Sequence, residues 1–173
     1  MTWSILIATV PSRKKQVQKL LAKLEKQTQG YDDIQILCLY DNKSVTTGMK
    51  RNLLLRSASS AYISFIDDDD NVADDYVAKI YPLLKPYTLD RVSFNIRYVD
   101  DVGADKVYDF TEYPPTHAHV WKRENIAHEF DDIMNGEDRQ WMLVNDQHFG
   151  NTHHIPEVLY IYQFNTKGTE TQK

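Results

Sequence analysis

Residues 61–70 read Ala-Tyr-Ile-Ser-Phe-Ile-Asp-Asp-Asp-Asp, a short apolar strand that runs directly into four consecutive carboxylates. Strand interiors disfavour aspartate, so the four acids must follow the end of the strand. In a parallel α/β sheet, ligands bind at the carboxyl ends of the strands. Adjacent acids repel one another, and a divalent cation that prefers oxygen ligands would relieve this repulsion. A solvated acidic turn, with Asp70 or Asn71 capping the next helix, explains the segment equally well.

The composition is that of one globular domain. The chain has 173 residues, of which 42% are hydrophobic and 26% are charged, so it can bury a substantial core. The formal net charge of −5 gives no general support for nucleic-acid binding. The single Cys38 excludes a disulfide framework, and the sequence shows no signal peptide and no apolar run of membrane-spanning length. We therefore expect a cytoplasmic protein without integral membrane association, with one domain over residues 1–165 and a disordered tail over residues 166–173.

Strand and helix patterns alternate along the first half of the chain. Three apolar runs predict buried strands, at Trp3–Val10, Ile34–Tyr40 and Tyr62–Ile66. Apolar residues at helical spacing predict the intervening helices, at Val17–Leu24, after Gly48 and over Ala73–Leu84. This alternation predicts an α/β fold with an open, mixed and mostly parallel sheet flanked by helices.

After Pro86 the predicted strands become shorter. The patterns indicate strands at Val92–Ile96, Val107–Phe110 and Val158–Phe164, a helix over Glu137–Val144, and a strand leading into a short helix over His117–Lys122. In a strand, His117 and His119 would point the same way, either towards an acceptor pocket or over the sheet. No linker separates the two halves, so we expect them to share one sheet.

Acidic residues recur at the ends of predicted elements, and each group has a second explanation. Asp41 follows the second strand and could simply begin a turn. Glu137 and Asp138 could be first-turn acids that match a helix dipole. Two strands both end in aspartate, however, and chance explains this repetition less well. Acids and a metal beside bases suit a diphosphate-bearing substrate, and bases are available in neighbouring segments at Arg13, Lys14, Lys15, Lys50 and Arg51.

Several competing motifs are absent from the sequence. Neither GxGxxG nor GxxxxGK[ST] occurs, which leaves a dinucleotide fold and a P-loop unsupported. An EF-hand beginning at Asp67 would need glycine and glutamate where the chain has Val72 and Ala78. The sequence also lacks GxSxG, and one cysteine cannot form a zinc ribbon.

Five short motifs follow one another along the chain. They are Ser4-Ile-Leu-Ile-Ala-Thr-Val-Pro-Ser-Arg13, Leu39-Tyr-Asp-Asn-Lys-Ser44, Gly48-Met-Lys-Arg-Asn52, Tyr62-Ile-Ser-Phe-Ile-Asp-Asp-Asp-Asp70 and Gly136-Glu-Asp-Arg-Gln-Trp141. In this order they resemble the motifs of family 2 glycosyltransferases, over almost the whole chain from Ser4 to Phe164. The third motif departs from that family's helix start, because it has one residue fewer between glycine and arginine.

The resemblance implies a Rossmann-like GT-A-type fold and an inverting transfer of a single sugar from a nucleotide-diphosphate sugar, most simply a UDP-sugar. It places Asp138 as the general base, with Glu137 orienting the base or the acceptor. It implies Mn²⁺ or Mg²⁺ held by Asp69 and Asp67, with Asp70 in support and a late histidine, His154 or else His153, as a further ligand. Asp41 would bind the nucleotide base, and the implied donor-binding set is Thr9, Pro11, Arg13, Asp41, Lys50, Arg51, Asp67 and Asp68.

Two other functions fit part of the pattern. A nucleotidyltransferase on a similar scaffold would carry a Gly-rich loop after the first strand, whereas Val10-Pro-Ser-Arg-Lys-Lys15 has no glycine. A non-catalytic sugar-nucleotide-binding protein would bind donor without turnover. The acceptor class stays open among a glycan, a lipid-linked sugar, a protein and a modified nucleobase. Little sequence follows the last strand, so a small acceptor or a partner subunit in a homo-oligomer would complete the acceptor site.

Overall fold

One mixed, eight-stranded sheet organises residues 1–165, the part of the chain that the computed structural model describes. The strands are β1 (Trp3–Thr9), β2 (Ile34–Tyr40), β3 (Tyr62–Phe65), β4 (Asn71–Val72), β5 (Arg91–Asp100), β6 (Asp105–Tyr108), β7 (Val120–Lys122) and β8 (Thr152–Phe164). Their order across the sheet is β2-β1-β3-β7-β5-β8-β4, and β6 pairs with β5. Both halves of the chain therefore share one sheet, as predicted.

The long ladders of the sheet are parallel. Strand β1 runs parallel to β2 and β3, and β5 runs parallel to β8 from Arg91 to Asp100. The short strand β7 is antiparallel to both β3 and β5 and so joins the two parallel groups. The predicted class, a mixed and mostly parallel α/β sheet flanked by helices, is confirmed.

Four α-helices cover the two faces of the sheet: α1 (Lys14–Thr28), α2 (Thr47–Ser57), α3 (Tyr76–Leu84) and α4 (Glu137–Asn145). Successive residues of β1 point to opposite faces, so Ile5 and Ile7 pack with α1 and α3 while Leu6 packs with α2 and α4. Trp121 and Trp141 fill the second core and meet edge-to-face at 5.1 Å between ring centroids. No helix within residues 1–165 is long and apolar enough to cross a membrane.

Three parallel strands end side by side at one edge of the sheet. Thr9 ends β1, Tyr40 ends β2, and Asp67 follows β3 by one residue. This arrangement confirms that the acids of residues 67–70 follow a strand end.

The segment after these acids differs from two expectations. The sequence predicted a helix from Ala73, and it offered Asp70 or Asn71 as the residue that caps this helix. Residues Asn71–Val72 form strand β4, and α3 begins only at Tyr76. Asp70 caps no helix: its carboxylate accepts hydrogen bonds from the Tyr160 hydroxyl at 2.6 Å and from the Gln163 amide at 2.8 Å. Asp70 therefore fastens the strand end to β8. The tail predicted over residues 166–173 lies outside the described residues.

Candidate functional site

A pocket with a volume of about 410 Å³ opens at the carboxyl ends of β1 and β3. Nine of the twelve residues that the sequence assigned to the site line it: Thr9, Arg13, Lys50, Arg51, Asp67, Asp68, Asp69, Glu137 and Asp138. The other three, Pro11, Asp41 and His154, are not among its lining residues. The motifs therefore converge on one cavity although they are spread over most of the chain.

One wall of the pocket contains an ion pair between Arg13, in the turn after β1, and the acidic run 67–70. Asp68 is 4% exposed, and its carboxylate accepts hydrogen bonds from Thr9 Oγ1 at 2.6 Å and Arg13 Nη1 at 2.5 Å. Arg13 Nη1 also lies 3.0 Å from Asp69 Oδ2. Burial lowers the pKa of Arg13, but Asp68 and Asp69 outweigh burial and raise it. Asp68 thus serves as an internal counter-charge that holds Arg13 at the pocket wall.

Asp69 lines the pocket and shares its cationic contact, Arg13, with Asp68. Burial raises its pKa to about 6; Arg13 opposes the rise, whereas the neighbouring charges of Asp67 and Asp68 add to it. A carboxylate in this position gains from a cation brought by a ligand. Asp69 is therefore a candidate oxygen ligand for a cation in the pocket that it lines.

The donor set fits a shared metal rather than a protein-only cage. Within residues 1–165, no group of three or more His, Cys, Asp or Glu side chains is arranged to hold a metal ion. Mg²⁺ usually keeps several waters and takes one or two carboxylates together with substrate phosphates. Asp69 supplies one such carboxylate in the pocket, and together with a substrate diphosphate it fits that requirement. Both oxygens of Asp67 already face cations, Oδ1 facing Arg51 and Oδ2 facing His117.

Arg51 is the buried centre of the opposite wall. Its Nη2 donates to Asp67 Oδ1 at 2.9 Å, and its Nη1 lies 3.2 Å from Glu137 Oε1, outside hydrogen-bonding geometry. The guanidinium carbon is 5.9 Å and 5.5 Å from the ring centroids of Phe65 and Phe130. Burial alone would raise the pKa of Asp67, but Arg51 and a neighbouring histidine lower it overall. Burial raises the pKa of Glu137, with Arg51 partly offsetting the rise.

His117 is the residue of this wall for which the sequence left two orientations open, towards an acceptor pocket or over the sheet. The predicted strand over 117–122 is wrong for its first three residues, because β7 begins only at Val120 and 117–119 form a turn. In that turn the two histidines face different surroundings. His117 lines the pocket, whereas the His119 ring is buried between the rings of Phe94 and Phe110. The Pro114-Pro115 pair just before the turn was the signal that the strand starts later.

The His117 ring lies between two carboxylates. Its Nε2 is 3.3 Å from Asp67 Oδ2 and its Nδ1 is 3.3 Å from Asp138 Oδ2. Both contacts are ion pairs, and the one at Nδ1 lies outside hydrogen-bonding geometry. Burial and Arg51 lower its pKa, but Asp67 and Asp138 outweigh them and raise it to about 9. The imidazolium is therefore the stable form at neutral pH.

Asp138 lies in the first turn of α4 and faces the pocket. Its Oδ1 accepts the amide of Arg139 at 2.8 Å, and its other oxygen is the one that contacts His117. Burial would raise the pKa of Asp138, but His117 and, more weakly, Arg51 lower it to about 2. The carboxylate is thus an anion at any ordinary pH, and α4 points its positive dipole end towards it.

The motif Gly48–Asn52 explains how α2 and α4 come together. A Cβ on Gly48 would lie 1.8 Å from the carbonyl oxygen of Asp131, so only glycine allows this backbone contact. The Asn52 side chain donates to the Phe130 carbonyl at 2.9 Å and accepts from the Phe130 amide at 2.8 Å. These contacts hold the segment 130–133 against α2. That segment leads into the pocket-lining residues 134–138.

Asp41 lies beside the pocket rather than in it. Its carboxylate accepts the backbone amide of Ser44 at 3.0 Å, which is the turn that the sequence offered as its alternative explanation. Lys50 Nζ lies 3.6 Å from Asp41 Oδ2, beyond hydrogen-bonding distance, although Lys50 is only 5% exposed. Lys50 therefore forms an ion pair with Asp41 without a hydrogen bond, and it also lines the pocket.

The structure does not bring His154 to the acidic run. In the parallel ladder between β5 and β8, His154 stands opposite Ser93, and its Nδ1 lies 3.0 Å from Ser93 Oγ. Its Nε2 lies 3.7 Å from Asp109. Its register in the sheet places it away from Asp67 and Asp69. Pro11 is exposed in the 3-10 turn that follows β1.

Comparisons with known proteins show the fold. No protein-family model matches the chain, and no curated protein matches it by sequence. S. aureus TarS 1-349 in complex with UDP-GlcNAc is similar in structure, with a TM-score of 0.72 at 13% identity over 99% of this chain and 60% of that chain. The same TarS fragment with UDP gives a TM-score of 0.70, 13% identity, and 95% and 61% coverage. The chain thus spans about 60% of these structures, and the match confirms the predicted GT-A-type fold class.

Proposed function

We propose that this protein is a glycosyltransferase that moves one sugar from a nucleotide-diphosphate sugar to an acceptor hydroxyl with inversion. One observation carries the proposal. A pocket lined by cations on one side and a first-turn carboxylate on the other lies at the strand ends of a fold shared with a protein solved with UDP-GlcNAc. The sequence motifs that resemble family 2 glycosyltransferases are the segments that build this pocket.

The donor diphosphate has fixed positive charge to meet in the pocket. Lys50 is buried and lines the pocket, and its charge is not consumed by a hydrogen bond to Asp41. Arg13 is already oriented by Asp68, so it can meet the diphosphate without first ordering its side chain. Asp41, next to Lys50, is the proposed contact of the nucleotide base. We take uracil as the base, because a pyrimidine donor is what the motif resemblance implies.

Asp69 and Asp67 would hold Mn²⁺ or Mg²⁺ against that diphosphate. When bound, the metal supplies positive charge where the leaving diphosphate develops negative charge. The raised pKa of Asp69 is consistent with a site that is completed by a cation. The side chains of Arg13 and Lys50 supply further positive charge at the same place.

Asp138 would take the proton of the acceptor hydroxyl while the hydroxyl oxygen attacks the anomeric carbon. A new bond forms between that oxygen and the anomeric carbon, and the bond from the anomeric carbon to the diphosphate oxygen breaks. Its electron pair leaves with the nucleoside diphosphate, and attack from the opposite face inverts the anomeric centre. The low pKa of Asp138 keeps it ionised but makes it a modest base, so proton transfer must accompany attack rather than precede it.

Glu137 is placed to orient the site rather than to accept the proton. It is 4% exposed and its carboxylate lies against Arg51, which also holds Asp67. Successive residues on a helix point about 100° apart, so Glu137 and Asp138 cannot share one role.

The test is donor turnover by wild type and Asp138→Asn. Wild type is incubated with Mn²⁺, a panel of hydroxyl-bearing acceptors and a panel of nucleotide sugars that begins with UDP-GlcNAc, and released nucleoside diphosphate is measured. The variant should bind UDP with unchanged affinity in calorimetry but turn over at least ~100-fold more slowly. Near-normal turnover by the variant moves the base elsewhere, with Glu137→Gln the next variant to test.

The same assay separates the rival functions. Donor binding without turnover by wild type supports a non-catalytic binding protein. Tight binding of a purine nucleotide alone overturns the choice of uracil. Release of pyrophosphate from a nucleoside triphosphate and a sugar phosphate would indicate a nucleotidyltransferase.

A further inference from the structure

One buried side chain in the pocket wall contacts both acid groups of the site. His117 is 9% exposed, and its two ring nitrogens reach different carboxylates, Asp67 after β3 and Asp138 in α4. Both acids belong to the wall of the pocket that contains Arg51. Arg51 Nη2 is 3.4 Å from the same Nε2, so the ring fits into the Arg51 wall.

The backbone that carries His117 is held independently of those two acids. The Phe65 amide donates to the His117 carbonyl at 3.3 Å, which attaches the turn to the end of β3. Trp121 Nε1 donates to the Thr116 carbonyl at 3.0 Å, and the Thr116 amide donates to His119 Nδ1 at 3.0 Å. The imidazole therefore projects from a turn whose backbone is held by contacts that involve neither Asp67 nor Asp138.

The two carboxylate oxygens of Asp138 have different contacts. Its Oδ1 accepts a hydrogen bond from the backbone amide of the adjacent residue, Arg139, at 2.8 Å. Its Oδ2 forms a 3.3 Å ion pair with His117 Nδ1, outside hydrogen-bonding geometry. A proton acceptor must be held within hydrogen-bonding reach of the hydroxyl that it deprotonates.

We propose that His117 is a positioning residue. The Nδ1 atom of His117 holds the Asp138 carboxylate, and Asp67 holds the Nε2 atom of His117. Asp138, the proposed proton acceptor, is thereby aligned with Asp67, one of the residues proposed to bind the nucleotide-sugar donor. The contribution of His117 to catalysis rests on the proposed function. The alignment itself is a property of the folded chain and can be tested without any substrate.

Two substitutions separate the two ring nitrogens. Asparagine places an amide nitrogen near the position of Nδ1, so His117→Asn keeps a donor towards Asp138. Glutamine places its amide nitrogen near Nε2, so His117→Gln keeps a donor towards Asp67. His128→Asn, at an exposed histidine on the segment before Phe130, is the matched control for loss of an imidazole.

Crystal structures of the two variants test the proposed positioning of Asp138 without any ligand. We expect the Asp138 carboxylate to keep its wild-type position in His117→Asn and to leave it in His117→Gln. An unmoved Asp138 in His117→Gln overturns the proposal, whether or not the protein is a glycosyltransferase. If either variant fails to fold, the comparison is made between wild type and the surviving variant, with the same two outcomes.

Kinetics with Mn²⁺ and UDP-GlcNAc form the second arm. We expect His117→Gln to lower kcat by ~10–100-fold with little change in KM, the range found when the orienting partner of a functional ligand is lost. His117→Asn should recover most of that loss, and both variants should bind UDP as wild type does in calorimetry. Equal kcat losses in the two variants, or a selective loss of UDP affinity, overturn the positioning role. Absence of turnover and UDP binding in wild type refutes the proposed function and leaves the crystallographic arm to decide.

Discussion

Replacing Arg51 by methionine would remove the counter-charge of the buried Glu137 and the partly exposed Asp67 while keeping most of the side-chain volume. The Arg51 side chain is 6% exposed and contacts Asp67 at 2.9 Å and Glu137 at 3.2 Å. Breaking a buried ion pair by removing one partner typically costs about 3–5 kcal/mol, because the remaining charge has neither water nor a partner. Glu137 is itself nearly inaccessible, so we expect a loss in this range in the free energy of unfolding at pH 7.

The measurement is urea denaturation of Arg51→Met beside two matched variants. Arg56 lies on the same helix and pairs with Glu129, but both side chains are about half exposed, at 56% and 46%. Arg56→Met should therefore leave stability almost unchanged, because water and salt already screen that pair. Adding Glu137→Gln to Arg51→Met should recover part of the loss, because it removes one of the stranded charges. A loss no larger than that of Arg56→Met, or no recovery in the double variant, would refute the argument.

Three further outcomes follow from the structure. Gly48→Ala puts a methyl group 1.8 Å from the Asp131 carbonyl, so we expect a loss of about 1–3 kcal/mol in urea denaturation together with weaker UDP binding, and a variant as stable as wild type would contradict the close contact. Asp69→Asn should remove most of the Mn²⁺ dependence of UDP binding, and calorimetry that finds unchanged affinity with metal present would reject the assignment. Burial lowers the pKa of His119 to about 3, below its unfolded value of 6.5, so the unfolded state binds the extra proton between these values and stability should fall as the pH drops. In His119→Phe this part of the loss, at most about 1.4 kcal/mol per pH unit, should be absent when denaturation at pH 7 and pH 5 is compared with wild type.

The features of this molecule that could be predicted are those that depend on the local sequence pattern. The apolar runs of β1, β2 and β3 gave three strands within a residue of their observed ends, and the rule that ligands meet parallel strand ends located the pocket. Arg51 and Glu137 could be assigned because a short motif surrounds each of them. Their direct contact could not be predicted, since it depends on how α2 and α4 pack.

The parts that could not be predicted depend on register and on turns. The ladder between β5 and β8 shifts register near Asn95, and such a shift changes which side chains face a site. It leaves His154 beside Ser93, whereas Tyr162 and Gln163 of the same strand reach the pocket. The sequence left open whether His117 faces an acceptor pocket or covers the sheet, because alternation suggested a strand where the chain makes a turn.

The two hydrogen bonds between the Asn52 side chain and the Phe130 backbone have a consequence for how the chain folds. They join residues 78 apart in sequence, and the contact of Asp70 with Tyr160 joins residues 90 apart. Contacts of such long range must overcome the entropy of closing a large loop before they return any free energy, which makes them slow to form. The first half of the sheet consists of neighbours close in the chain, so it can assemble while the segment that carries Glu137 and Asp138 is still at a distance. We therefore expect residues 67–70 to be in place at the end of β3 in a partly folded chain, before Glu137 and Asp138 pack near them. The pocket would then be completed among the last steps of folding.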